Sequence, residues 1–399
     1  MNEKIENLIE TVIAGEWGNP EGTSGGIDIG VIRSANFAKD HKLNDKEIAI
    51  RSIQEKKINN KLLKKGDILI EKSGGSPTQP VGRVLYYDLL GNHTCSNFIS
   101  LIRPLSNIDS KFLYYTFCEL YNRGVVKNFQ QQTTGIINLQ LNEYLNEHIF
   151  YPSLPEQKKI AEIISGIDKS LNGIISKKIY IEQTRRALIQ QLTRGLHHTG
   201  QRKNSGTEFG LIPSDWNCEL VPECCKLENK KRKPIKADDR KKMRGKYPYH
   251  GATKIQDYIS EYSYEGEYTL IGEDGDHFSK YDSWEMAQYA IGKFNVSNHA
   301  HVIGSTNKCN SKWLYYSMLH RDLTLYLTRQ GATRFKLSKA SLEEVPVLFP
   351  PMKEQIKMIS IFETFSKLIH DLDKEIIKLS TLKKGISSDL LSGRKRVNI

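Results

Sequence analysis

A segment near the middle of this chain recurs, without a gap, towards its end. Pro155-Glu156-Gln157 aligns with Lys353-Glu354-Gln355 at a shift of 355 − 157 = 198 positions, and Pro152 then falls on Pro350. At the same shift Gln191-Leu192-Thr193-Arg194-Gly195 meets Asp389-Leu390-Leu391-Ser392-Gly393. In the first copy Ile160, Ile164, Ile167, Leu171, Ile174, Lys178, Ile181, Arg185, Leu188 and Leu192 step by four and three alternately. Met358, Phe362, Phe365, Ile369, Leu372, Ile376, Leu379, Lys383, Ile386 and Leu390 do the same in the second. A 3.5-residue apolar period held over more than four heptads predicts two long helices packed on each other as a coiled coil. Two unrelated amphipathic helices would leave the shared register unexplained.

The boundary signals agree with this placement. Ser153 followed by Glu156 reads as a capping box, and Pro350-Pro351 blocks any helix running into the second copy. Gly195 and Gly393 stand where a helix ends in the left-handed conformation. Some 40 residues at about 1.5 Å each give rods of roughly 60 Å.

The duplication extends upstream of the helices. Gln132 and Leu139 meet Gln330 and Leu337 at the same shift, while Ser110-Lys111-Phe112-Leu113-Tyr114-Tyr115 meets Ser311-Lys312-Trp313-Leu314-Tyr315-Tyr316 at a shift of 201. Ser96-Asn97 meets Ser297-Asn298 there too, and Gly66-Asp67 meets Gly266-Glu267 near a shift of 200. Short β-rich runs, Asp67-Ile68-Leu69-Ile70 and Tyr268-Thr269-Leu270-Ile271, mix with helix-like stretches, so the fold class expected is α+β in two homologous domains. The expected order is a domain over residues 1–152, a long helix over 153–196, a polar linker over 197–209, a second domain over 210–350 and a second long helix over 351–399. The two helices are expected to run antiparallel between the domains.

Charge narrows the partner. An excess of 58 Lys+Arg over 46 Asp+Glu gives a formal net charge of +12, which favours a polyanion. The six cysteines form no C-x-x-C pair and read as reduced thiols, not as a zinc site or a disulfide framework. No apolar run approaches the length of a membrane helix and the first residues lack the order of a secretion signal, so a cytoplasmic location is expected.

This arrangement resembles the specificity subunits of type I restriction-modification systems, across essentially the whole chain. The resemblance rests on the hinge Pro152 to Ile160 (Pro-Ser-Leu-Pro-Glu-Gln-Lys-Lys-Ile), its echo Pro350 to Ile356, the opening Gly210-Leu211-Ile212-Pro213-Ser214-Asp215-Trp216, and the two helix endings. Lys353 replaces the proline found at Pro155, and nothing before Trp17 matches the run before Trp216, so the first domain is expected to start differently. The resemblance implies target-recognition domains that each read half of a split double-stranded DNA site, with a spacer between them. It also implies two methyltransferase subunits docked mainly on the helices, joined by endonuclease/translocase subunits. S-adenosylmethionine, ATP and magnesium would then sit on those partners, with no cofactor and no catalytic residue on this chain. A related two-subunit restriction enzyme would use the same kind of chain. The contrasting reading is a coiled-coil adaptor that binds nucleic acid without sequence preference.

The residues themselves present no catalytic constellation. There is no phosphate-binding loop, dinucleotide fingerprint or Asn-Pro-Pro-aromatic run. The acidic knot Glu273-Asp274-Gly275-Asp276-His277 suggests magnesium, but its counterpart Lys72-Ser73-Gly74-Gly75-Ser76 has no carboxylate, which excludes a duplicated nuclease centre. His299 and His301 lack an evident third ligand, and no metal site is expected. Lys230, Lys231, Arg232 and Lys233, continuing through Arg240, Lys241, Lys242 and Arg244, are candidates to track phosphates. Gln131, Gln132, Thr133 and Thr134 in one domain, and Arg329, Gln330, Thr333 and Arg334 in the other, form equivalent polar loops suited to reading base edges. The Gly-Gly turn around Ser73 to Gln79 is a third candidate. Ile160, Ile164, Ile167, Leu171, Met358, Phe362, Phe365, Ile369 and Leu372 are expected at the helical and partner interface.

Overall fold

A computed structural model describes residues 2–38, 41, 43–76, 79–133, 135–330 and 334–398. The chain divides into two compact units, one of residues 1–174 with 375–399 and one of residues 175–374.

In the first unit the apolar run Ile68-Leu69-Ile70 forms an inner strand, Ile68–Glu71, of an antiparallel sheet ordered Ile9–Ala14, Ile99–Pro104, Ile68–Glu71, Val84–Tyr86. Successive side chains of a strand point to opposite faces. Ile68, Ile70 and Ile102 therefore enter one core with Leu113 and Phe117, while Leu69, Leu85 and Leu101 enter another with Ile32 and Tyr87. The helix Ser110–Asn122 supplies the first of these; Asp109 caps it by accepting from the Phe112 amide at 2.9 Å. A second sheet joins Asn19–Pro20, Ala49–Ile53, Ile27–Ile32 and His93–Cys95.

The second unit is built on a six-stranded sheet in which Tyr264–Gly272 and Ala287–Val296 run side by side. Its core gathers Trp216, Trp313, Phe278 and Phe349, with the two indoles edge to face at 5.9 Å. Buried Trp313 donates to the Leu348 carbonyl at 3.0 Å, so its one polar atom is satisfied.

The two domains open alike. Asn2 pairs with Phe150 in one unit as Cys218 pairs with Leu348 in the other, and the Ile5 amide binds the Glu147 carbonyl as the Val221 amide binds that of Val345. Trp17 is therefore not the counterpart of Trp216. The shift is 218 − 2 = 216 at the start and 348 − 150 = 198 at the end, so the second domain is the shorter, which hid the correspondence. Within the segment expected as a polar linker, Arg202–Asn204 pairs with Leu211–Pro213, and the Arg202 guanidinium donates to the carbonyls of Gly195, His198 and Leu211.

The long helices are Leu154–Thr193 and Met352–Leu391, 40 residues each, with both boundaries 198 positions apart. Gly195 and Gly393, with φ of 63° and 72°, follow their C-termini. The helices are antiparallel. In the first unit Ile160, Ala161 and Ile164 meet Ile386, Leu390 and Leu391; in the second Ile189 and Leu192 share a core with Met358 and Phe362. All the heptad positions in both helices are buried or half-buried. Of the nine side chains expected at the interface, Ile160, Ile164, Met358 and Phe362 lie in these cores and the other five are buried or half-buried, while the apolar side chains left exposed on the helices include Ile179, Tyr180, Ile356 and Ile377. Glu156 does not complete a capping box; Arg396 takes its carboxylate by two bonds of 2.6 Å.

Each helix is attached to its own domain by a buried glutamine. Gln157 accepts from the Asp109 amide at 3.0 Å and donates to the Pro152 carbonyl at 3.0 Å. Gln355 accepts from the Asn310 amide at 2.9 Å and donates to the carbonyls of Lys308 and Pro350. Among the described residues no helix is long and apolar enough to cross a membrane.

Candidate nucleic-acid interface

The polar segments ahead of the helices are β-hairpins, not plain loops. In the first unit Gln130–Thr133 pairs with Ile136–Leu139, with Gln131 and Gln132 exposed. Thr328–Gln330 pairs with Arg334–Lys336 in the second, and exposed Arg329 lays its guanidinium 5.7 Å from the Phe335 ring. Thr134 and Thr333 lie outside the described residues, as do the side chains of Thr133, Gln330 and Arg334.

In both units the glycine turn lies beside the hairpin. Ser73–Gly75 adds a third strand to the first hairpin, and the Ser73 hydroxyl donates to Asn138 Oδ1 at 2.6 Å. Residues 77 and 78 of that turn lie outside the described residues. In the second unit Asp274 bridges Lys336, and the Gly275 amide donates to the Phe335 carbonyl at 3.2 Å. Lys72 also binds the Phe98 carbonyl through its amide at 2.9 Å, as Glu273 does that of His299 at 2.8 Å. Phe98 and His299, 201 positions apart, both present about half of their side chain to solvent beside the hairpin. Sequence reasoning passed over Phe98 and weighed His299 as a metal ligand without pairing the two; the signal was the Ser-Asn repeat that immediately precedes each.

Two carboxylates of the acidic knot are already engaged by protein side chains. Glu273 receives Arg232 Nη1 at 2.9 Å and Lys336 Nζ at 3.4 Å, and Asp274 holds the His299 ring at 2.9 Å. His301 is wholly buried, its ring bonded to the Leu337 carbonyl and to Asn229; burial holds its pKa below the ordinary histidine value. These side chains hold the glycine turn in place.

The basic stretch separates into two groups. Arg232 also donates to the carbonyls of Asn298, Ala300 and Asn229, and Arg240 binds the Ile235 carbonyl at 2.6 Å while lying 5.0 Å from the Tyr249 ring. Both guanidiniums are only 15–19% exposed and serve the fold. Lys230, Lys231, Lys233, Lys241, Lys242 and Arg244 are exposed. Lys241 and Lys242 face Asp238 and Asp239 of their own short helix, which offsets part of their charge.

A duplicated α+β domain that presents the same exposed hairpin and turn twice, with an antiparallel helical pair, defines a two-site recognition chain. The family model for the type I restriction modification DNA specificity domain matches it twice, over residues 17–183 and 213–379, and the chain belongs to that family of non-catalytic specificity subunits. A putative type I restriction enzyme specificity subunit of Haemophilus influenzae is 35% identical over 168 residues. That alignment spans 42% of each protein, so the chain matches less than half of this relative's length. The putative MjaX specificity subunit of Methanocaldococcus jannaschii is 23% identical over 83% of this chain and 79% of its own. Among solved structures, the type I restriction-modification S subunit of M. genitalium has the same fold, with a TM-score of 0.60 at 18% identity over 98% of this chain and 96% of that one. A second, described as bearing on complex assembly and conformational transition of the type I system, gives 0.57 at 12% identity over 99% and 98%.

Proposed function

We propose that this chain reads a bipartite double-stranded DNA site, one half-site per domain, and scaffolds the methyltransferase and endonuclease subunits of a type I restriction-modification complex. The observation that carries this reading is the exposed hairpin-and-turn surface, built at the same place in both domains from different side chains. Gln131 and Gln132 in one and Arg329 in the other have the bidentate geometry that reads adenine or guanine edges, so unlike half-sites follow from unlike hairpins. Lys230, Lys231, Lys233 and Arg244 supply phosphate contacts that add affinity without sequence. Joined in one chain, two short readouts act as one, because the second binds at high effective concentration.

Ile179, Tyr180, Ile356 and Ile377, exposed on the long helices, support docking of the methyltransferase subunits there. S-adenosylmethionine, ATP and magnesium belong to the partners in this reading, and recognition is this chain's contribution. The test is to mix the chain with its methyltransferase subunit and S-adenosylmethionine and to map methylation on random DNA. Methylation confined to one split sequence is expected. Methyl transfer by the chain alone, or equal binding to all sequences, overturns the reading.

A further inference from the structure

The two helix starts are clasped by non-equivalent residues. In the first unit Glu156 is gripped by Arg396. Its counterpart at 156 + 198 = 354 is Glu354, and the counterpart of Arg396 at 396 − 198 = 198 is His198, so the second unit puts an imidazole where the first has a guanidinium. His198 Nε2 lies 3.2 Å from Glu354 Oε1, and His197 Nε2 lies 3.8 Å from the same oxygen. One ligand atom from each of the three falls within 4.8 Å of the others. Each side chain is 25–29% exposed, so the cluster is open on one side, and Trp216 backs both rings at centroid distances of 5.9 and 6.1 Å.

We propose that His197, His198 and Glu354 form a binding site for a divalent transition-metal ion of the zinc class. Two imidazoles and one carboxylate are a ligand set that zinc uses, leaving a fourth position for water. Ligand atoms around tetrahedral zinc stand about 3.3 Å apart at bond lengths near 2.0–2.1 Å, and the two distances to Glu354 lie close to that. Both rings turn Nε2 toward Glu354 Oε1, so both would ligate through that atom. The ion would tie the segment that follows the first long helix to the first turn of the second, the role a salt bridge fills in the other unit.

The test uses the untagged full-length chain, stripped with chelator and titrated with Zn²⁺ and with Co²⁺. One Zn²⁺ bound per chain, a rise in thermal midpoint, and the visible absorption of four-coordinate Co²⁺ are expected. His198→Arg installs the residue the other unit uses, so it keeps the clasp and the fold but abolishes all three signals. Glu354→Gln abolishes them as well, and Cys225→Ser, a control for the buried thiols, leaves them intact. Absence of Zn²⁺ binding by the parent chain, or binding that survives His198→Arg and Glu354→Gln, overturns the proposal.

Discussion

Lys178 Nζ lies 2.7 Å from Asp373 Oδ1, an ion pair set into the apolar seam of the helical pair. Lys178 occupies a heptad position, and the pairing, with Glu182 at 3.5 Å, keeps its pKa above the ordinary lysine value. Lys383 plays the same part in the other unit, 2.6 Å from Asp168. A polar residue at a seam position costs little when paired and much when it slides against an apolar one, so these lysines fix the register of the antiparallel helices. Both pairs are partly exposed, and Lys178→Met is expected to change stability by no more than about 1 kcal/mol. Replacing both lysines by methionine should leave helix content intact while loosening the register. Cross-linking of cysteines placed across the seam reads this; a single cross-linking register in the double variant would count against it.

Gln157 and Gln355 are fully buried and satisfy backbone groups of two segments each. Alanine at either position strands those groups, and each substitution is expected to destabilise its unit by about 2–3 kcal/mol. Thermal denaturation should show the drop with unchanged low-temperature circular dichroism. Gln355→Ala is the more costly of the two, because Gln355 makes three such bonds.

Arg232 and the neighbouring lysines should separate by measurement. Arg232→Ala leaves Glu273 without its nearest cation in a largely enclosed setting and is expected to cost about 3 kcal/mol of stability. Lys230→Ala with Lys231→Ala should leave the melting temperature within a degree or two. It should lower DNA affinity for every sequence and reduce the slope of log K against log salt by about 1.8 if both contact phosphates. Equal effects of the two changes on melting would contradict a structural role for Arg232 distinct from that of the exposed lysines.

Substitutions in the hairpins should act on sequence preference. Gln131→Ala with Gln132→Ala is expected to relax one half-site and Arg329→Ala the other, by about 1–3 kcal/mol of discrimination each. Methylation mapping of the assembled complex distinguishes the half-sites.

Acid should destabilise the chain through buried histidines. His41, His250, His277 and His301 all have pKa values held below the ordinary one, chiefly by burial. The unfolded chain then binds more protons than the folded one as pH falls below about 6.5, so stability present at neutral pH is lost, at up to about 1.4 kcal/mol per pH unit for each histidine. Thermal midpoints measured from pH 7.5 to 5.5 should fall, with little change between 7.5 and 8.5.

The helices were legible because their information is local: one heptad pattern, written twice, sets length, register and mutual packing. The membership of Ile68, Leu69 and Ile70 in two cores was less so, since a short apolar run says that a strand is buried but not what covers each face. Charge misled at Arg232 and Arg240, because sequence cannot tell a solvated guanidinium from one that binds four backbone or carboxylate groups. The hairpins could be placed but not their neighbours: Ser73 reaches Asn138, and Asp274 reaches Lys336, across more than 60 residues of chain. Such contacts follow from sheet topology, which no local pattern encodes.

The first unit is discontinuous, needing residues 375–398 to complete it, whereas the second is one uninterrupted stretch from 175 to 374. Synthesis proceeds from the N-terminus, and domains generally fold as units while the chain emerges. Ile160 and Ile164 can pack on Phe112 and Tyr115 early, but they must wait for Leu390 and Leu391 to complete their cluster. The cores of the first unit formed by residues 5–149 have all their residues early, but its half of the helical seam is completed only after the whole of the second unit has been made. A nascent chain arrested before residue 375 should show a protease-resistant second unit and a first unit whose half-helix is still cut.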